Sequence, residues 1–277
     1  MKIYNLLITC FLLLLTSGAL SAQTFEELVM KSYEYSDANE LPAAEECLKN
    51  AMRLEPGNKL NYALLTNLGT IQRRQGKLEE ALLSYTAALG QRPSDEVILL
   101  NRAELYTEMN ETDKAIIDYN TVIAHFPTHE KALYHRGLLY TGKGEFLLAQ
   151  TDFEFIIDTY KDTLLGRLGY AILEKARGNY DDSEVIFNYL ADKYKNNMRV
   201  LEERAELYFL TKRNSRAMSD LNKVFAATGE PSAELYMLRG RVKLAQYEKA
   251  SAAVDFKKAG ELGYDRETVD RLIKESF

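Results

Sequence analysis

The chain has 277 residues, with 35 lysines and arginines against 41 aspartates and glutamates, and a formal net charge of −6. This mild acidity, with the basic residues spread along the chain, excludes the basic patches by which proteins bind nucleic acids. Two cysteines and three histidines in the whole chain do not form the paired-cysteine motifs of structural metal or haem sites.

Residues 1–22, MKIYNLLITCFLLLLTSGALSA, have the pattern of a secretory signal peptide, because Lys2 precedes an apolar run and then small residues. The run is about twelve residues long, which is short for a bilayer-spanning helix; a retained signal-anchor is the alternative. Cleavage after Ser21 and cleavage after Ala22 both leave small residues at the site. Cys10 lies inside the apolar run and not at a lipoprotein's acylation site. We therefore predict an exported chain, periplasmic or associated with the cell surface, with no transmembrane segment after cleavage.

Cleavage removes Lys2, which takes the formal charge from −6 to −7, and leaves Cys47 as a single thiol. One thiol cannot form an internal disulfide, so the exported fold must depend on packing alone. We interpret Cys47 as a partly buried small residue on a helix; a reactive or intermolecular thiol is the alternative.

From residue 25 onward the sequence repeats with a period of thirty-four residues. In the clearest copy, 62–95, the anchor residue Gly69 is followed by Gly76 after seven residues and by Tyr85 after sixteen. The pentapeptide RAELY occurs at 102–106 and again three periods later. The copies lie at about 25–58, 62–95, 96–129, 130–163, 164–197, 198–232 and 233–266.

Each copy is predicted to contain two amphipathic helices, because its apolar residues recur at spacings of three and four. In five copies the seventh offset holds glycine or asparagine, which end a helix in the left-handed conformation; Lys212 and Tyr247 depart from this rule. Small residues at the anchor let the two helices approach closely. Aromatic residues at the sixteenth offset are predicted to fill the space between them: Tyr85, Tyr119, Phe153, Phe187 and Phe256.

The last segment, 267–277, is predicted to be a helix that caps the final copy. Its apolar side chains, Val269, Leu272, Ile273 and Phe277, are expected on one face.

This pattern resembles the tetratricopeptide repeat over about residues 25–266, although the chain has no tryptophan. The resemblance implies an all-α fold, a right-handed superhelical α-solenoid of about seven helix pairs plus a C-terminal capping helix. It also implies a single domain over 23–277, in which stacked pairs share one continuous core.

In this family the first helices of the pairs line a concave groove, and the resemblance implies which residues face it. These are Thr66, Thr70, Arg73, Arg74, Leu100, Glu104, Glu108, Tyr134, Leu138, Leu168, Ile172, Lys175, Glu202, Glu206, Phe209, Met237 and Arg241. The groove would be basic near one end, apolar in the middle and mixed beyond. An exposed apolar strip usually marks a partner site; the alternative is that Leu100, Leu138 and Ile172 pack against the next copy.

No catalytic constellation is found in the sequence, which lacks a phosphate-binding glycine loop and a G-x-S-x-G motif. His125 and His129 are four residues apart, but Pro127 breaks the helix that would present both rings. Glu104 and Glu108 fit a solvated helix face better than an acid–base pair. We therefore predict that the protein is not an enzyme and has no cofactor and no metal site.

The predicted function is a non-enzymatic protein–protein interaction scaffold or adaptor of the bacterial cell envelope. It would bind a peptide, helix or loop of a partner protein, of unknown identity, in the concave groove. One alternative is a small-molecule or glycan receptor that uses the tyrosine-rich groove, and another is self-association through an edge copy.

Overall fold

The computed structural model of the chain describes residues 23–195 and 197–277, and these residues form fifteen α-helices and no strand. The predicted signal peptide, residues 1–22, lies outside the described residues. The all-α class is confirmed, because the first fourteen helices form one pair in each predicted copy. The helices are α1 (Phe25–Asp37), α2 (Leu41–Leu54), α3 (Asn61–Arg74), α4 (Leu78–Gln91), α5 (Glu96–Glu108), α6 (Thr112–His125), α7 (Glu130–Gly142), α8 (Phe146–Tyr160), α9 (Leu164–Arg177), α10 (Tyr180–Lys193), α11 (Met198–Leu210), α12 (Asn214–Ala227), α13 (Ala233–Ala245), α14 (Lys249–Glu261) and α15 (Arg266–Glu275).

The helices fall into two compact units, which are separated in sequence between His125 and Phe126. The first unit contains α1 to α6, the first three copies. The second unit contains α7 to α15, the last four copies and the final helix. That the whole of 23–277 is one domain stays a prediction. None of the helices in the described part of the chain is long and apolar enough to cross a membrane.

The turn inside every pair contains a left-handed residue at the predicted seventh offset. The five glycine and asparagine positions have φ between +58° and +84°, and the two departures adopt the same conformation, Lys212 at +59° and Tyr247 at +65°. A left-handed backbone costs a residue other than glycine roughly 1–2 kcal/mol. The packing of the two helices therefore determines the turn, even where the local residue disfavours it.

In five of the seven pairs, the two helices are held together by a ring that packs against a small anchor residue. A Cβ atom added to Gly69 would lie 2.7 Å from the Tyr85 ring, and one added to Gly137 would lie 2.6 Å from the Phe153 ring. All five rings at the sixteenth offset are fully buried. The predicted role of these aromatic residues is confirmed, since only a minimal side chain at these anchors leaves room for the ring.

The final helix, α15, caps the last pair. The Asp265 side chain accepts a hydrogen bond from the Thr268 backbone N–H at 2.8 Å, and Val269 and Leu272 are buried in a cluster with residues of α14. The prediction that Phe277 shares this apolar face is wrong, because the helix ends at Glu275 and Phe277 is 86% exposed.

Replacing Gly137 with alanine tests the contact between the anchor and the ring. Helix propensity favours alanine over glycine by up to about 1 kcal/mol, but crowding a packed core costs about 1–3 kcal/mol. We expect Gly137→Ala to lower the free energy of unfolding by about 1–2 kcal/mol, measured by urea denaturation. Gly142→Ala, on the same helix but with nothing within 4 Å of its added Cβ, is the matched control and should be neutral or stabilising. Equal stability of the two variants would contradict the packing argument.

Candidate functional site

In the first unit the predicted groove residues Arg73, Glu104 and Glu108 bind one another. Arg73 donates through Nε and Nη2 to the two oxygens of Glu108 at 2.9 and 2.7 Å, and through Nη1 to Glu104 at 2.8 Å. The bonds to Glu108 and Glu104 outweigh burial and raise the pKa of Arg73. These contacts join α3 to α5, the first helices of neighbouring copies.

The other predicted groove residues of α3 bind inside the first unit as well. The Thr70 hydroxyl lies 3.0 Å from the Tyr85 hydroxyl, and Arg74 donates to Ser36 Oγ at 2.9 Å and to Asn39 Oδ1 at 3.1 Å. The two arginines of α3 and the two glutamates of α5 have no net charge together. Acidic residues of the next copy therefore pair with Arg73 but not with Arg74, whose partners are uncharged, and a basic end of the groove stays a prediction.

The apolar groove residues divide between the core and the surface. In the second unit Tyr134 and Leu168 are buried, and the Tyr134 ring centroid lies 6.3 Å from that of Phe153. We assign these two residues to the core and not to the groove. Leu138 and Ile172 are half-buried, as is Leu100 in the first unit. Whether these three bind a partner stays a prediction.

An ion pair in the second unit joins α9 to α11, as Arg73 joins α3 to α5 in the first. The Lys175 ammonium, which is 8% exposed, donates to Glu203 at 2.6 Å and also to Glu206. Arg199 forms a second ion pair with Glu203 at 2.5 Å. Charges of opposite sign therefore fix the first-helix face of α11 beside α9.

The largest set of predicted groove residues meets between α11 and α13, in a cleft of about 300 Å³ that we call the acidic cleft. It includes four predicted residues: Glu202, Glu206, Met237 and Arg241. The remaining lining residues are Arg199, Glu203, Glu234, Leu238 and Tyr264. Phe209, a further predicted residue, lies about one helical turn beyond Glu206 on α11. The structure thus gathers the C-terminal part of the predicted set in one concave place.

Two opposite charges in the acidic cleft have no partner. Glu234 and Arg241 make no hydrogen bond or ion pair with any residue of the described ranges 23–195 and 197–277. Burial, together with the nearby Glu203 and Glu206 carboxylates, raises the pKa of Glu202, against the opposing effect of Arg199. The cleft therefore holds carboxylate charge that the chain only partly compensates, next to a free guanidinium.

The cleft has no metal-ion geometry: within residues 23–195 and 197–277, no three histidine, cysteine or acidic side chains are grouped to hold an ion. His129 has a structural contact instead, because its Nδ1 accepts a hydrogen bond from the Ala132 backbone N–H at 3.0 Å and so caps α7. Cys47 is half-buried, and burial raises the pKa of its thiol. The interpretation of Cys47 as a packed residue agrees with this environment.

Comparison with known proteins supplies the family. Models of the tetratricopeptide repeat match residues 29–96 and 98–129. The crystal structure of a tetratricopeptide repeat protein from Parabacteroides merdae ATCC 43184 is 55% identical to this chain, covers 92% of it over 99% of its own length, and superposes with a TM-score of 0.80. This chain belongs to the tetratricopeptide repeat (TPR) family. The resemblance seen in the sequence is confirmed.

More distant TPR-like structures show the fold alone. Yeast Tom70 is 13% identical over 94% of this chain and 65% of its own, with a TM-score of 0.65. The Cut9–Hcn1 structure of the APC/C is 14% identical over 95% of this chain and 58% of its own, with a TM-score of 0.64. The curated proteins include no significant match to this chain.

Sequence reasoning missed an ion pair that recurs within the TPR pairs. An arginine just before the anchor donates through two nitrogens to both oxygens of a buried aspartate sixteen residues later. Such bidentate pairs are among the stronger polar contacts in proteins. The signal was present in the sequence, because arginine and aspartate recur together at this spacing. The pairs are Arg102–Asp118, Arg136–Asp152, Arg204–Asp220 and Arg239–Asp255.

Replacing Glu202 with glutamine tests whether the ionised Glu202 carboxylate of the acidic cleft lowers the free energy of unfolding. Because the pKa of Glu202 is raised on folding, its ionisation weakens the folded state as pH rises above the ordinary value of 4.5. We expect Glu202→Gln to raise the free energy of unfolding at about pH 7 by less than about 1 kcal/mol, and to change little at about pH 4. Thermal denaturation at both pH values measures the difference.

The control for this prediction is Glu206→Gln in the same cleft. This variant removes an acceptor of the nearly buried Lys175 ammonium, so it should destabilise the protein at neutral pH. A Glu202→Gln variant that is also less stable at about pH 7 would show that the carboxylate supports the fold and would contradict the prediction.

Proposed function

We propose that this TPR protein is a non-enzymatic protein–protein interaction scaffold of the bacterial cell envelope, which binds a segment of a partner protein in the acidic cleft. Membership of the TPR family supports a protein-binding function. The observation that carries the choice of site is the pair of unpartnered charges, Glu234 and Arg241, in a cleft between two first helices.

The physical argument rests on compensation of charge. Arg241 is partly buried and Glu234 is exposed. A partly buried charge such as Arg241 is unfavourable without a counter-charge, and a partner that supplies counter-charges to both residues gains specificity from them. The walls of the cleft are helices of packed TPR pairs, so binding needs little ordering of the scaffold. The segment that binds would be a peptide, a loop or one face of a helix.

The alternative of a glycan or small-molecule receptor has no comparable support. That proposal needs tyrosine side chains on the groove surface, and Tyr134, its central residue, is packed against Phe153. We therefore keep a protein segment as the proposed ligand.

Export is part of the proposal and has its own test. The apolar segment in residues 1–22 supports export, and the relative from Parabacteroides merdae supports a bacterial setting. We expect the native chain in the envelope fraction, with an intact mass that begins at Ala22 or Gln23. Recovery of the chain with residue 1 still attached, from the cytosol alone, would contradict export.

Exchanging the two unpartnered charges tests the proposed site. The double variant Glu234→Lys, Arg241→Glu keeps the net charge of the chain and breaks no ion pair within the described residues. In a crosslinked pull-down from the native cell envelope, we expect the wild-type chain to capture a discrete partner and this variant to capture at least about tenfold less of it.

The matched control is the exchange Glu248→Lys, Lys249→Glu, which reverses two exposed neighbouring charges outside the cleft. It should capture the partner as the wild-type chain does. Circular dichroism must show that both variants stay folded. Equal capture by the cleft variant and the wild-type chain would remove the acidic cleft as the binding site.

A further inference from the structure

A second cleft of about 490 Å³ lies next to the acidic cleft in the second unit. It is formed by the C-terminal ends of α11 and α13 together with α15, and we call it the arginine cleft. Its lining consists of Phe209, Arg241, Leu244, Ala245, Arg271 and Leu272. Four of these six residues are apolar and the other two are arginines, so its chemistry differs from that of the acidic cleft.

Both guanidinium groups of the arginine cleft are open to a ligand. Arg241 has no partner within residues 23–195 and 197–277. Arg271 is 62% exposed and has one ion pair, to Glu275 at 3.3 Å on its own helix. A guanidinium presents a planar fork of donors that matches a carboxylate. Apolar lining beside two such groups favours a ligand with a carboxylate next to an apolar side chain.

The two clefts share Arg241, so they form one continuous track along α11 and α13. Glu202 in the acidic cleft and Phe209 in the arginine cleft are seven residues apart on helix α11. This spacing corresponds to about 10 Å along the helix axis. A partner in extended conformation covers that length with about three residues. The track therefore has an anionic position and a cationic, apolar position at a spacing that one short segment can reach.

We propose that the partner segment carries a basic residue and, about three residues away, an acidic residue next to an apolar one. The basic side chain binds the carboxylates of the acidic cleft. The acidic side chain binds Arg241 and Arg271, and the apolar side chain contacts Phe209 and Leu244. This inference rests on the proposed function and names the chemistry of its ligand.

Charge complementarity selects this occupant. A uniformly basic segment would place positive charge against Arg241 and Arg271, and a uniformly acidic segment would meet Glu202, Glu206 and Glu234. A segment without an apolar residue would leave Phe209 and Leu244 uncovered. Only a segment of alternating charge with an apolar residue satisfies the whole track.

The test is a selection from random displayed peptides of about twelve residues, which reach both clefts when extended. The full chain, produced with its own N-terminal segment and purified, is the target. We expect the selected peptides to share the basic and acidic–apolar pattern. Fluorescence anisotropy with a labelled selected peptide then measures affinity for the wild-type chain and for each variant.

Arg271→Glu should weaken this peptide at least about tenfold. Arg266→Glu is the matched control, because Arg266 lies on the same helix, is 95% exposed and is outside the arginine cleft; it should have less than about a twofold effect. Arg271→Gln is a second variant that keeps the size of the side chain. Replacing the acidic residue of the peptide by its amide should weaken binding to the wild-type chain and not to Arg271→Glu.

The outcomes separate this inference from the proposed function. Selected peptides that lack the acidic–apolar pair, or bind Arg271→Glu as well as the wild-type chain, would overturn the inference. If those peptides still fail to bind the Glu234→Lys, Arg241→Glu variant, the proposed function is supported although the further inference is overturned. If no peptide is selected, the inference is overturned, and envelope capture decides the proposed function separately. A molecular mass in solution that doubles as protein concentration rises, and that stays monomeric in the Arg271→Glu variant, would identify a second copy of the chain as the occupant. That result would also overturn the inference.

Discussion

The contact between an aromatic ring of the second helix and a small anchor residue of the first is the constraint on which the rest of the structure depends. It sets the distance between the two helices of a pair, because a ring such as Phe153 leaves no room for a Cβ atom at Gly137. At that distance the connecting turn needs a left-handed residue, and Tyr247, in the pair closed by Phe256, adopts this conformation against its own preference. The same distance brings an arginine of the first helix within reach of a buried aspartate of the second.

Polar contacts then fix the exposed faces of the first helices, and they explain why the pentapeptide RAELY occurs twice. In each occurrence the arginine, Arg102 or Arg204, forms the bidentate ion pair within its own helix pair. The glutamate, Glu104 or Glu206, accepts a hydrogen bond from a basic residue of the preceding first helix. The arginine joins the two helices of its own pair, and the glutamate joins that pair to the preceding one. The pentapeptide therefore needs both an arginine and, two residues later, a glutamate.

The periodic features of this chain could be predicted from its sequence, whereas contacts between copies could not. The left-handed turns and the buried rings follow from offsets within one copy, and these predictions agree with the structure. Tyr134 is buried beside Phe153, a ring that Gly169 of α9 also approaches closely, and no single copy indicates that approach. The apolar period also fails for Phe277, because α15 ends at Glu275 and leaves Phe277 exposed.

The position of the two clefts can be compared with the two junctions at which an ion pair joins neighbouring first helices. Four residues after the anchor, Arg73 and Lys175 donate to the glutamate that follows the next anchor. At the last junction the same two positions hold Phe209 and Arg241, which cannot form an ion pair. The face that an ion pair closes at those two junctions is therefore open here, with an apolar ring on one side and a free guanidinium on the other. A change of residue type at two aligned positions therefore removes a structural contact at this junction and leaves Arg241 without a counter-charge.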